Sequence, residues 1–203
     1  MKKAVVLIAA ILAMASHTFA DTDFFGGFVK VNGTWFQLQN PGAIQVTNFD
    51  GFDFGTVATL TLDDAAGLTY KNGSSDVTGV LIGIIIDGVS QGEFAHPFGA
   101  DIPFSDPVGN TYNTTPGDQR WGGNGTGTVA GTPYNVLAGL LPGQHTLEVY
   151  LHATTNEGDR YLNDAANNFD NYKAKFTVIP EPTTMVLVGM GLAGAMMLRR
   201  RTA

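Results

Sequence analysis

The chain has 203 residues, of which 26 are Gly and none is Cys, and its formal net charge is −7. The missing Cys excludes a disulfide scaffold, a Cys-zinc site and a thiol nucleophile, and the absence of a three-residue Gly period excludes collagen. Charged residues make up only 14% and apolar ones 44%, which suits a chain that buries a core and argues against intrinsic disorder.

Residues 1–20 read as a secretory signal peptide. Lys2 and Lys3 supply the positive start, 4–15 is a short apolar run, and small residues precede a cut after Ala20. The run is too short to span a membrane, and polar chain resumes at Asp21. Export through the Sec machinery is the expectation.

Residues 21–179 form the body, enough for one domain. Strand signals dominate it. Residues 28–31 and 34–38 flank Asn32-Gly33, a two-residue hairpin turn. Residues 43–49 and 56–62 alternate apolar and polar at period two, imperfectly, and predict two further strands. The nearly all-apolar 80–86 predicts a central strand buried on both faces. After the Pro142-Gly143 turn, Leu147, Val149, Leu151 and Ala153 point one way while Thr146, Glu148, Tyr150 and His152 point the other. Residues 172–178 alternate likewise, with Lys173, Lys175 and Thr177 outward. No long helical period occurs. The expectation is an all-β fold, a single β-sandwich of jelly-roll or immunoglobulin-like type. Residues 99–131 and 156–171 read as long, turn-rich loops.

The body carries six basic residues against 17 acidic ones, a net charge of −11. Such a surface repels phosphate backbones, so nucleic-acid binding is disfavoured.

The C-terminal segment is the most specific feature. Pro180-Glu181-Pro182 is followed by an apolar run, 185–198, and then by Arg199, Arg200 and Arg201. This order resembles the PEP-CTERM sorting signal of Gram-negative bacteria. The resemblance implies a tail that spans the inner membrane during export and is recognised and removed by an exosortase, in hosts that make exopolysaccharide. As a helix rising about 1.5 Å per residue, 183–198 would reach about 24 Å, marginal for a bilayer core of about 30 Å. The Arg cluster would hold the C-terminal end in the cytoplasm. The expected organisation is a signal peptide at 1–20, a sandwich domain at 21–179 and a membrane-spanning sorting tail at 180–203. Stretches at 31–35, 69–73, 76–79, 117–121 and 140–149 also resemble a β-rich module of secreted bacterial proteins, which brings no catalytic residues with it.

Two motifs imitate catalytic or cofactor signatures. Gly189, Gly191 and Gly194 spell G-x-G-x-x-G, but too little chain follows for a crossover to a second strand. Small residues in a membrane helix are the better reading. Gly88-Val89-Ser90-Gln91-Gly92 matches G-x-S-x-G, yet a nucleophile elbow needs a helix at once afterwards. Here 93–97 reads as the return strand of a hairpin, which leaves a secreted hydrolase a distant third reading.

Two ligand sites are candidates. Asp50 and Asp53 beside Asn48, or Asp164 and Asp170 beside Asn163 and Asn167, offer the hard oxygens that calcium takes. Asx turns explain both groups without a metal. Asp118, Arg120 and Trp121 in the 99–131 loop offer a polar pair and a flat ring for stacking on sugars, with Tyr112 and Tyr134 nearby. The alternative is a Trp folded back as a core cap. Asn-x-Ser/Thr triplets at Asn32, Asn72, Asn113 and Asn124 are weak glycosylation signals. The sequence thus predicts a non-enzymatic structural or adhesive protein of the cell surface or matrix, associated with exopolysaccharide or biofilm. A carbohydrate-binding module is the alternative.

Overall fold

The computed structural model describes residues 22–123, 133–163 and 170–179. Residues 1–20, expected to be a signal peptide, the sorting tail, Asp164, Asn167 and the Asn124 triplet lie outside the described residues. Among these residues there are strands and no helix: β1 (Thr22–Val31), β2 (Thr34–Gln39), β3 (Asp53–Val57), β4 (Thr61–Lys71), β5 (Val77–Ile86), β6 (Val89–His96), β7 (Phe98–Asp101), β8 (Phe104–Ser105), β9 (Thr111–Tyr112), β10 (Gln119–Gly122), β11 (Tyr134–Asn135), β12 (Gly143–Thr155), β13 (Arg160–Leu162) and β14 (Tyr172–Val178). The fold is all-β.

One six-stranded sheet has the order β2-β1-β4-β10-β7, with β11 also paired to β4. A second has the order β3-β14-β12-β5-β6, with β13 also paired to β12. β8 and β9 form a separate two-stranded ribbon. Every pairing is antiparallel except β3 with β14. The Asn32-Gly33 turn between β1 and β2 has the positive φ values, 46° and 79°, that its sequence predicts.

The alternating patterns fix which faces meet. Leu147, Val149 and Leu151 of β12, Val80, Ile82 and Ile84 of β5, and Ala174 and Phe176 of β14 are fully buried. They share one cluster with Val29, Leu62 and Trp121 of the other sheet. The reverse face of that other sheet is covered too. Phe28, Ala66 and Leu68 pack with Phe104, beneath the β8–β9 ribbon. β1 and β4 are therefore covered on both faces along much of their length, which is why they lack a clean polar row.

Four segments differ from the sequence expectations. Residues 43–49 form no strand; Asn48 alone bridges to Gln37. Side-chain amides take over the backbone there: Ile44 N donates to Asn110 Oδ1, and Asn40 Nδ2 and Asn110 Nδ2 donate to Ile44 O. The 56–62 stretch is split, because the chain leaves one sheet after β3 and enters the other at β4. The 99–131 segment is no plain loop: its described part holds the end of β7 and all of β8, β9 and β10, and β10 sits between β4 and β7. Within 156–171, β13 extends the second sheet.

Candidate functional site

The pairings place Val31, Thr61, Ile86, Gly143 and Val178 toward one end of the body. Thr22, Lys71, Val77 and Thr155 lie toward the other. β14 is an interior strand that runs to the first end and stops one residue before the described chain does.

At that end lies an open groove of about 710 Å³ between the 57–61 crossover and the 135–142 turn. Leu60, Leu137, Leu140 and Val178 line it, together with Leu141 and Ile179. Leu141 is 77% exposed and Ile179 44%, two large apolar side chains that line one groove and remain open to solvent.

His145 braces the groove. Its Nε2 faces the Leu141 carbonyl at 2.8 Å and its Nδ1 faces Asp87 Oδ2 at 2.6 Å. Both partners are acceptors, so the doubly protonated imidazolium satisfies the site best. The Asp87 hydrogen bond, helped by the Leu141 carbonyl, raises the His145 pKa against a smaller burial effect. Burial pushes Asp87 upward, but hydrogen bonds from His145 and the Thr146 amide prevail and hold it below its ordinary value. The imidazole also stacks on Phe176, centroid to centroid at 5.5 Å.

The residues proposed for sugar binding do not form one surface. Trp121 is 7% exposed, its Nε1–H donates to Thr69 Oγ1 at 3.1 Å, and Phe98 meets it edge-on. It is a core cap in this geometry. Its strand neighbour Arg120 projects from the opposite face and donates to the Ser105 carbonyl. Asp118 precedes β10, with its pKa raised by burial. Tyr112 belongs to the second apolar cluster, and Tyr134 O–H donates to Gln91.

The carboxylates serve the turns. Asp53 Oδ1 accepts from Gly55 N and Asn48 Oδ1 from Asp50 N, both Asx turns. Asp50 Oδ1 also accepts from Lys173 N. Asp170 lies 3.7 Å from Lys173 Nζ and lines the same shallow pocket as Asp50. Asp50 and Asp170, which the sequence places in separate groups, thus border one pocket at the start of β14. Among the described residues no three His, Cys, Asp or Glu side chains gather as a metal would require. Ser90 sits in the hairpin strand β6, its Oγ accepting from Gly92 N.

A further arrangement has no local signature in the sequence. On the outer face of the second sheet, Tyr150, Gly83 and Glu93 stand in register on β12, β5 and β6. A Cβ at Gly83 would overlap the Tyr150 ring, so the ring lies across the glycine and its O–H donates to Glu93 Oε1 at 2.9 Å. Burial and the neighbouring carboxylate push the Tyr150 pKa to about 12. His152 also faces Glu93 and stacks on Tyr161, which is 50% exposed, at 4.5 Å. The alternation of β12 already put Tyr150 and His152 on one face; nothing local shows that β13 would bring Tyr161 to them.

His96 is the odd buried residue. It is 4% exposed, neither ring nitrogen has a hydrogen-bond partner among the described residues, and burial pushes its pKa down to about 4.

Comparison with known proteins matches one segment. The PEP-CTERM protein-sorting motif is found at residues 178–201, beginning on the last residue of β14. No curated protein matches the chain. The motif implies an exosortase-processed extracellular protein and directs it to the cell envelope or surface.

Proposed function

We propose that the chain is a structural or adhesive protein of the cell surface or matrix, associated with exopolysaccharide. In this reading a signal peptide at 1–20 takes it to Sec export, one sandwich domain at 21–179 forms the body, and a membrane-spanning tail at 180–203 is the exosortase substrate. The body works without catalysis and without a cofactor.

The observation that carries the reading is the continuity of β14 with the sorting motif. β14 is held on one side by seven residue pairs with β12, from Gly143↔Val178 to Val149↔Tyr172. On the other side β3 pairs with it in parallel. A pull on the tail therefore loads these hydrogen bonds along the strand together rather than peeling an edge strand pair by pair. That suits a body tethered by its C-terminal end. Mass spectrometry of the protein recovered from the envelope tests the reading: the account expects a mature C-terminus before residue 199 and no peptide containing Arg199 to Arg201.

Carbohydrate binding is the second reading, favoured by the Tyr161–His152 stack beside Glu93. A half-exposed ring next to a carboxylate offers a sugar both a stacking face and a hydroxyl acceptor. The 99–131 loop is less suited, because Trp121 is turned inward.

A further inference from the structure

The exposed apolar groove and the sorting motif occur at the same end of the body, and chain length ties them together. Ile179, on the groove wall, is followed by five residues, 180–184, before the apolar run begins at Met185. At no more than about 3.6 Å per residue, that connection reaches at most about 22 Å. The headgroup layer takes up about 5–8 Å of it. What remains is well short of the breadth of a 159-residue domain, roughly 40 Å from its expected radius of gyration. With the tail in a bilayer, the end that must face the lipid is the groove end.

That end suits a lipid surface. Leu141 stands out from the groove lip at 77% exposure and Ile179 stands at 44%. Val89, 62% exposed, lies on the neighbouring hairpin, which the Asp87–His145–Leu141 contacts join to the lip. The pairing of Asp87 with His145 also compensates a carboxylate charge that would otherwise face the headgroups. We propose that the groove and its Leu141 lip dock into the headgroup–hydrocarbon boundary of the membrane in the precursor that still carries residues 180–203. The inference rests on the reading of the tail as a membrane span. It adds that the body itself touches lipid and so presents the segment after β14 at a fixed height above the membrane.

The absence of Cys from the chain makes a direct test available. The full chain with Leu141→Cys, and separately with Ser74→Cys at the opposite end, is labelled with a polarity-sensitive fluorophore. Each is reconstituted into phosphatidylcholine vesicles containing nitroxide-labelled lipid. Neutral lipid is used because an acidic body is repelled by anionic headgroups. The expected result is that both chains float with the vesicles, and that the probe at 141 is blue-shifted and quenched several-fold more than the probe at 74. Flotation with equal, water-like probes overturns the docking proposal and leaves the tail reading intact. A blue shift at 141 without quenching by lipid means that a second copy or another segment covers the groove, and also overturns it. Failure to float overturns the tail reading and the docking proposal together.

Discussion

His145 and Asp87 meet at 2.6 Å between the start of β12 and the β5–β6 hairpin turn, with Nδ1 donating to Oδ2 while Nε2 holds the Leu141 carbonyl. The contact ties the β5–β6 turn to the start of β12, and it has a sign in pH. The His145 pKa is raised in the fold, so its contribution is fully present below the unfolded value of about 6.5 and is lost as pH rises through the folded value. The Asp87 pKa is lowered, so its contribution is present above its ordinary value and is lost as pH falls through the folded one. Both partners border solvent, which limits the pair to about 1 kcal/mol. His145→Gln should lower the melting temperature by a few degrees near pH 6 and by less near pH 9. Melting curves across that range check it; an equal loss at every pH would contradict the ionic reading of the pair.

His96 acts in the opposite direction. It stays neutral in the fold down to about pH 4, whereas an unfolded chain protonates it near 6.5. The unfolded state therefore binds more protons between those values, and stability falls as pH drops through that window. The separation corresponds to about 3 kcal/mol at 1.36 kcal/mol per unit. His96→Leu should flatten this part of the acid limb in denaturant titrations at pH 6.5 and 4.5. An unchanged pH slope would show that His96 takes a proton without cost.

Leu147 is fully buried between the two large sheets. Leu147→Ala should cost about 2–5 kcal/mol through lost burial and a cavity, or roughly 2–4 °C of melting temperature per kcal/mol in a domain of this size. A loss below 1 kcal/mol would mean that the two sheets do not share a close-packed core.

Trp121 and Tyr161 separate stability from sugar binding. Trp121→Ala should destabilise by about 3–5 kcal/mol, because a buried indole and its hydrogen bond to Thr69 are lost. Tyr161→Ala, at a half-exposed ring, should leave the melting temperature nearly unchanged. Under the second reading it abolishes retention on polysaccharide extracted from the producing cells. Unchanged retention for Tyr161→Ala would reject the outer face as a glycan site.

What the sequence disclosed follows from where the physics is local. The 32–33 turn and the inward row Leu147, Val149, Leu151 were legible because φ preference and period-two alternation belong to adjacent residues. The 43–49 segment alternates without forming a strand because the Ile44 backbone bonds to the side chains of Asn40 and Asn110, the latter 66 residues away, and further backbone bonds of the segment go to Gln37. β10 was hidden among Gly residues: Gln119 and Trp121 give only one repeat of the pattern, and their burial depends on β4 and β7. The groove and the Tyr150–Glu93 contact could not be read, since both depend on strands far apart in sequence. The sorting motif could be read in full, because its three parts are contiguous.

The account stands most directly on the tail. Deleting residues 180–203 leaves β14 whole, so the truncated protein should melt within a degree or two of the full-length body. Quantifying both proteins in the medium, at the protease-accessible cell surface and within the cells is the decisive measurement. The account predicts that the full-length chain reaches the surface and that the truncated chain, still folded, is released into the medium or left in the wrong compartment. A folded truncated chain found at the surface in the same proportion as the full-length protein would contradict it.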